Sequence, residues 1–302
     1  VSNQLYPAAV RGLTFTVMKA FEFNTLEQTA PSKVQLRIAQ TQNPIWHWSL
    51  IYDYLKNIAT DIAPGLTYTD LQTLMGFCLA RLGSFDDFLF NDPDDNSVGP
   101  ALNAGVPNTA AQLQVVNDGA GHYYSPVQRN MGGQFYEDVT DLNGAITVYA
   151  NAVLQTGGGT NYTLAGPGLT IPGNSFMGLY LAWVNPPAWQ ASHAYALNAT
   201  ILDPAGHIQK VTTTGTSGAT QPTFNDAGGT TTDGTVTWTD QGYNPGPATP
   251  VTAQFNFYFR VHFEMDQQDF EKFMGFIWTI GGSGSKNGSG MLKIASSRAA
   301  LV

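Results

Sequence analysis

The chain has 302 residues, enough for two or three independent cores, and only 12% of them are charged against roughly 25% in ordinary soluble domains, while hydrophobic content is 43%. A single cysteine, Cys78, excludes an intrachain disulfide and any cysteine-built zinc site. A net charge of -9 without a basic cluster excludes a phosphate-gripping surface, which needs grouped Lys and Arg.

So few charges on a globular chain imply extensive contact with other subunits, because interface cores are depleted of Lys, Glu and Asp. Val1 to Val10 lacks the charged-then-apolar order of a signal peptide. No stretch approaches the roughly 18 to 20 apolar residues of a spanning helix, so the chain is expected to be soluble.

In chain order, Leu36 and Ile38 alternate with polar neighbours, and Trp46, Trp48, Leu50 and Tyr52 fall on one face of a second strand. A helix is expected over 69–81, with Thr69 and Gln72 spaced as a capping box and Gly83 placed to stop it. Phe85, Phe88, Leu89 and Phe90 then lead into a turn at Asp92 to Asn96. From Gly99 to Pro187 the chain reads as an all-β unit, with alternation at Ile146, Val148 and Ala150 and hairpin-like turns at Asn151-Ala152 and Gly157 to Gly159. Trp189 to Tyr243 is nearly uncharged and Thr/Gly-rich, bracketed by Pro186-Pro187 and by Pro245, Pro247 and Pro250, which read as linkers.

The texture of the start then returns. Phe255, Phe257, Phe259, Val261 and Phe263 alternate as a half-buried strand, and Asp266 is placed to cap a short helix carrying Phe270, Phe273 and Met274. Gly281 to Gly290 reads as a flexible loop. The expected fold is mainly β with two or three short helices. Its expected domains are 1–98 plus 251–302, an inserted β-sandwich at 99–186, a small module at 187–244 and a Pro-rich linker at 245–250.

Catalytic signals are weak. A glycosidase needs two neighbouring carboxylates, one with a raised pKa, and Asp86, Asp87, Asp92, Asp94 and Asp95 crowd a turn where solvated carboxylates are the usual case. Asp92, Asp94 and Asn96 have the first spacings of a calcium loop, but its glycine and distal glutamate are missing and Pro93 interrupts it. His47, His122, His193, His207 and His262 are scattered, and neither a nucleophile elbow nor a phosphate loop occurs. No catalytic residue, metal or cofactor is expected.

Pro44 to Tyr52 (PIWHWSLIY) followed by Gly76 to Asn96 (GFCLARLGSFDDFLFNDPDDN) resembles the distal tail proteins of phages and gene transfer agents. The resemblance covers 7–96 and 255–302, and Phe88, Phe90, Asp92, Pro93, Asp94, Asp95 and Asn96 are its most specific part. It implies a non-enzymatic virion protein at the tail tip, with a tail-tube-like β-barrel or sandwich that closes a homohexameric ring between the tail tube protein and the tip hub protein. DNA would pass the lumen without specific binding, and an acidic wall suits that. Ile146 to Gln155 with Tyr162-Thr163 resembles the inserted β unit of that family, with Ala152 where glycine follows Asn151.

The segment 187–244 is similar to small chitin-binding-like carbohydrate modules through Trp189, Tyr195, Thr212 to Phe224 and Asp233 to Trp238. It departs from them at Asn198, where glycine is common, at Gln209, where an aromatic is common, and at Phe224, where tryptophan is common. The resemblance implies host-surface glycan contact through Trp189, Tyr195, Phe224 and Trp238; the same rings also read as the module's core. A carbohydrate-binding adhesin and a polysaccharide-degrading tail enzyme stand as alternatives.

Overall fold

Alternation at period two dominates the chain, and the result is a mainly β protein with open sheets. The computed structural model describes residues 2–8, 10, 13–29, 31–33, 35–41, 43–58, 68–99, 111–132, 134–172, 174–246, 249–281 and 291–297. The expected loop at 282–290 lies outside them. Two compact units emerge, Val1–Asp92 with Tyr258–Ala300, and Pro93–Phe257 with Leu301–Val302. Strand Val251–Phe263 contributes residues to each unit.

In the first unit, strand Ile45–Tyr52 lies between Leu13–Glu22 and Met291–Ser296, both antiparallel to it. Residues 261–263 extend the sheet beyond Met291–Ser296, and 259–261 pair with Phe88–Phe90. Trp46, Trp48, Leu50 and Tyr52 are all buried, as their spacing requires. Tyr6, Phe77, Phe88 and Phe263 fill the core beneath them, with Phe88 centred 4.8 Å from Phe263 and 5.0 Å from Phe77. The Tyr6 and Tyr52 hydroxyls meet at 2.7 Å inside this apolar packing, and burial pushes Tyr52 up to about 12.

The one helix among the described residues is Asp70–Ala80. Thr69 is its N-cap, but its side chain makes no cap hydrogen bond, so the expected capping box does not form. Gly83 follows the helix at φ +67, and a Cβ there would stand 2.9 Å from Asp266 Cα, which accounts for glycine at this stop.

The helix expected after Asp266 is instead strand Phe270–Met274, which pairs with Ile277–Ile280 across a turn at Gly275 (φ +48). The i, i+3, i+4 spacing of Phe270, Phe273 and Met274 suits a helix, but a tight hairpin satisfies the backbone first. Asp266 accepts hydrogen bonds from the Ser84 amide and hydroxyl rather than capping anything.

The second unit holds a four-stranded antiparallel sheet (Val116–Asn117, Tyr123–Pro126, Tyr180–Trp183, Tyr162–Ala165) and several two-stranded hairpins. Thr147–Ala150 pairs with Val153–Gln155 and with residues 251–254. Their two-residue turn holds Asn151 at φ +47 and Ala152 at φ +65, the signs of a primed hairpin turn, so Ala152 occupies a conformation that glycine adopts without strain. Gly157 to Gly159 also turn, but the flanking strands do not pair with each other, since Tyr162–Ala165 joins Tyr180–Trp183.

Within the same unit, residues 200–243 form a second four-stranded sheet, Thr200–Leu202, His207–Thr213, Val236–Tyr243 and Thr230–Asp233. Hydrogen bonds join it to preceding residues of the same unit. Leu202 donates to Pro187 O at 2.9 Å, and Asn161, fully buried, donates its side-chain amide to Gln241 O at 2.6 Å.

Arg129 is 3% exposed and donates to Glu137 at 2.8 Å through Nε, to Asp95 through Nη1, and lies over the Phe257 ring. Burial works against its charge, but the Glu137 and Asp95 carboxylates more than offset this and its pKa is raised.

Two expectations follow. Arg129→Leu removes the buried guanidinium that Glu137 and Asp95 share and should cost about 3–5 kcal/mol in denaturant unfolding. Ala152→Gly should raise stability by roughly 0.5–1 kcal/mol, because it removes a left-handed alanine from the turn.

Candidate functional site

The acidic turn is not a solvated loop. Register sets Lys19 opposite Trp48 and Phe21 opposite Trp46. The Lys19 ammonium lies 4.7 Å from the Trp46 ring centre, 5.0 Å from Phe259 and 5.4 Å from Trp48, and donates to Asp92 Oδ2 at 2.8 Å. Trp48 Nε1 donates to the same oxygen at 2.9 Å, and Asp92 is 2% exposed. Asp92 is therefore a buried acceptor that fixes an indole and an ammonium against an aromatic wall.

The remaining turn residues are also engaged in the fold. Phe88 and Phe90 are buried, Asp86 pairs with Arg81 at 2.7 Å, and Asp87 accepts from Ser297 Oγ. Asp95 binds Arg129, and Asn96 O accepts from the Phe257 amide at 2.9 Å. Pro93 and Asp94 are exposed. No group of three or more His, Cys, Asp or Glu able to hold a metal occurs among the described residues.

The aromatic set of 187–244 is brought together, but as a core. Tyr195, Phe224 and Trp238 are buried with Ile201, Val211 and Val236, and Trp238 has no exposed surface. Sugar stacking needs an open ring face, so Trp238 cannot supply one, and Tyr195 and Phe224, at 9% and 8% exposure, offer almost none. Trp189 alone is partly buried, packed on the cluster. Asp233 Oδ2 accepts from Trp189 Nε1 at 2.8 Å and from Trp238 Nε1 at 3.2 Å, while its Oδ1 takes the Gly218 amide at 2.7 Å. Asn198 adopts φ +66, the conformation that a glycine at this position would adopt freely.

Gln209, placed where an aromatic is common, is fully buried and belongs to an acid network that the sequence did not reveal. Its Nε2 reaches Asp203 at 2.8 Å and Asp226 at 3.3 Å. Asp203 also accepts the His207 amide, and Asp240 accepts from the Gly228 and Gly242 amides and hydrogen-bonds His207 Nδ1 at 2.9 Å. Burial, followed by the neighbouring Asp203 carboxylate, raises the pKa of Asp226.

An uncovered apolar feature of the first unit is the hairpin Thr25–Thr29/Gln35–Ala39, closed at its base by Gln40 N donating to Asn24 O. Leu26 pairs with Ile38, and Gln28 with Leu36, so Leu26, Leu36 and Ile38 share one face. Glu27 and Arg37 pair on the other. Leu26, Leu36 and Ile38 are about half exposed (51%, 57% and 49%), and Phe21 and Phe23 at the base are open too, with rings 6.0 Å apart. A hairpin sorted into apolar and polar faces is built to lay one face on something. No helix among the described residues is long and apolar enough to cross a membrane.

Asp92→Ala should cost about 2–4 kcal/mol, because it takes the acceptor from the buried Trp48 indole N–H and breaks the Lys19 ion pair. Asp226 predicts a pH effect of definite sign. Its folded pKa lies above its unfolded value, so the stability available in acid is lost as pH rises through the folded pKa. Asp226→Asn should therefore melt higher than wild type at neutral pH, and the gap should close as pH falls into the carboxylate range. No family model matches the sequence, and no curated protein matches it.

Proposed function

We propose that the chain is a structural subunit of a long-tailed phage tail tip, a copy of which contacts further copies in a ring between tail tube and tip hub. The observation that carries this reading is the hairpin, whose aliphatic face is open in the single chain. The low charge content favours the same conclusion, and the resemblance over Pro44 to Asn96 supplies the tail context. The tail-tube-like barrel or sandwich belongs to this proposal. The acidic balance suits a lumen that DNA crosses without sticking.

Glycan contact is the weaker half of the resemblance, since Tyr195, Phe224 and Trp238 are spent on the core. A second reading, a polysaccharide-degrading enzyme, draws on one observation, the Asp203 and Asp226 carboxylates joined by Gln209 with one pKa raised. Against it, both Asp203 oxygens already hold the fold, one on the His207 amide and one on Gln209.

Native mass spectrometry should find a hexamer. Leu36→Gln with Ile38→Thr should shift it to monomer while changing unfolding stability by no more than about 0.5 kcal/mol, because both sites are open in the single chain. A wild-type monomer at every concentration contradicts the reading, as does tight, salt-sensitive duplex DNA binding. Host polysaccharide cleavage that disappears in Asp226→Asn would favour the enzyme instead.

A further inference from the structure

A ring made of identical copies is a head-to-tail assembly, so each copy must present two different surfaces, one that inserts and one that receives. The first unit carries two. One is the hairpin face of Leu26, Leu36 and Ile38. The other is a groove of about 540 Å³ beside the helix Asp70–Ala80, lined mostly by apolar side chains such as Met75, Leu79 and Phe263, with Cys78, Gln268, Asp266 and Lys293 also on its wall. Leu79 and Leu82 are 71% and 69% exposed, and Phe85 on the following loop is 82% exposed. An isologous dimer would need only one of these surfaces.

We propose that the aliphatic face of the hairpin of one copy seats in the helix-side groove of the next. This rests on the ring reading above. The three half-open side chains of this face, Leu26, Leu36 and Ile38, offer on the order of 250 Å² of apolar surface, a small apolar centre for an interface of about 800 Å² per partner. Within Thr25–Thr29 and Gln35–Ala39 the polar side chain that shares the face of the three aliphatics is Gln28, which is uncharged, and Glu27 and Arg37 lie on the opposite face; the charged groups of the contact are Asp266 and Lys293 of the groove.

The test is trans cross-linking of two single-cysteine variants, Gln28→Cys and Gln268→Cys, which leave the aliphatic face of the hairpin intact. Native Cys78 lines the same groove, so every variant is made in a Cys78→Ala background, and Cys78→Ala alone serves as the control. Mixed at micromolar concentration with a short bismaleimide, the pair should form cross-linked dimer on the order of 10²-fold faster than the pair Glu27→Cys and Gln268→Cys, as expected for sites held at high effective concentration. A hexamer without that preference overturns the docking but leaves the ring. Faster linkage of Gln28→Cys to itself overturns it in favour of an isologous contact. Monomers throughout overturn both.

Discussion

Successive side chains of a strand point to opposite faces, so each face must find the environment that its chemistry requires. Strand Val251–Phe263 meets this constraint along its length, with Val251, Ala253, Phe255, Phe257, Phe259, Val261 and Phe263 all buried. Ile45–Tyr52 and Val236–Tyr243 meet it in the same way. The hairpin Thr25–Thr29/Gln35–Ala39 obeys the same alternation yet buries neither face. A rule satisfied elsewhere by the chain itself is here left for another molecule to satisfy, and the functional reading follows from that difference.

A second pattern recurs in both units: a buried aspartate ties down an indole. Asp92 holds Trp48 and Lys19; Asp233 holds Trp189 and Trp238. Burying a tryptophan leaves its N–H in need of an acceptor, and a carboxylate serves best when it has a second donor to share. These acids, together with Asp95 on Arg129 and Asp240 on two glycine amides, hold loops in place. Part of the small charge complement is thus spent inside the fold, among it Asp92, Arg129, Asp233 and Asp240.

The sheet interior was legible in the sequence because burial and period two are the same signal there, as Trp46 to Tyr52 and Val148 with Ala150 illustrate. The helix after Thr69 was legible from its apolar spacing, although its cap chemistry was not. Residues 270–274 misled because a helical spacing over five residues cannot outweigh the hairpin closed at Gly275. The turn at Phe88 to Asn96 could be recognised, but that Asp92 sits beneath Lys19 depends on a partner 73 residues away. The Asp203–Gln209–Asp226 network likewise joins residues that no local spacing connects. Periodicity marked Leu36 and Ile38 as one face of a strand, but it could not say whether that face was covered.

Whether something covers it in the assembled state is read most directly by amide hydrogen exchange across a dilution series. If the hairpin lies at a contact between copies, the amides of Thr25–Thr29 and Gln35–Ala39 should gain protection as protein concentration rises through the assembly transition, while those of Ile45–Tyr52 stay unchanged. Equal exchange of the hairpin in monomer and assembled ring would contradict the account.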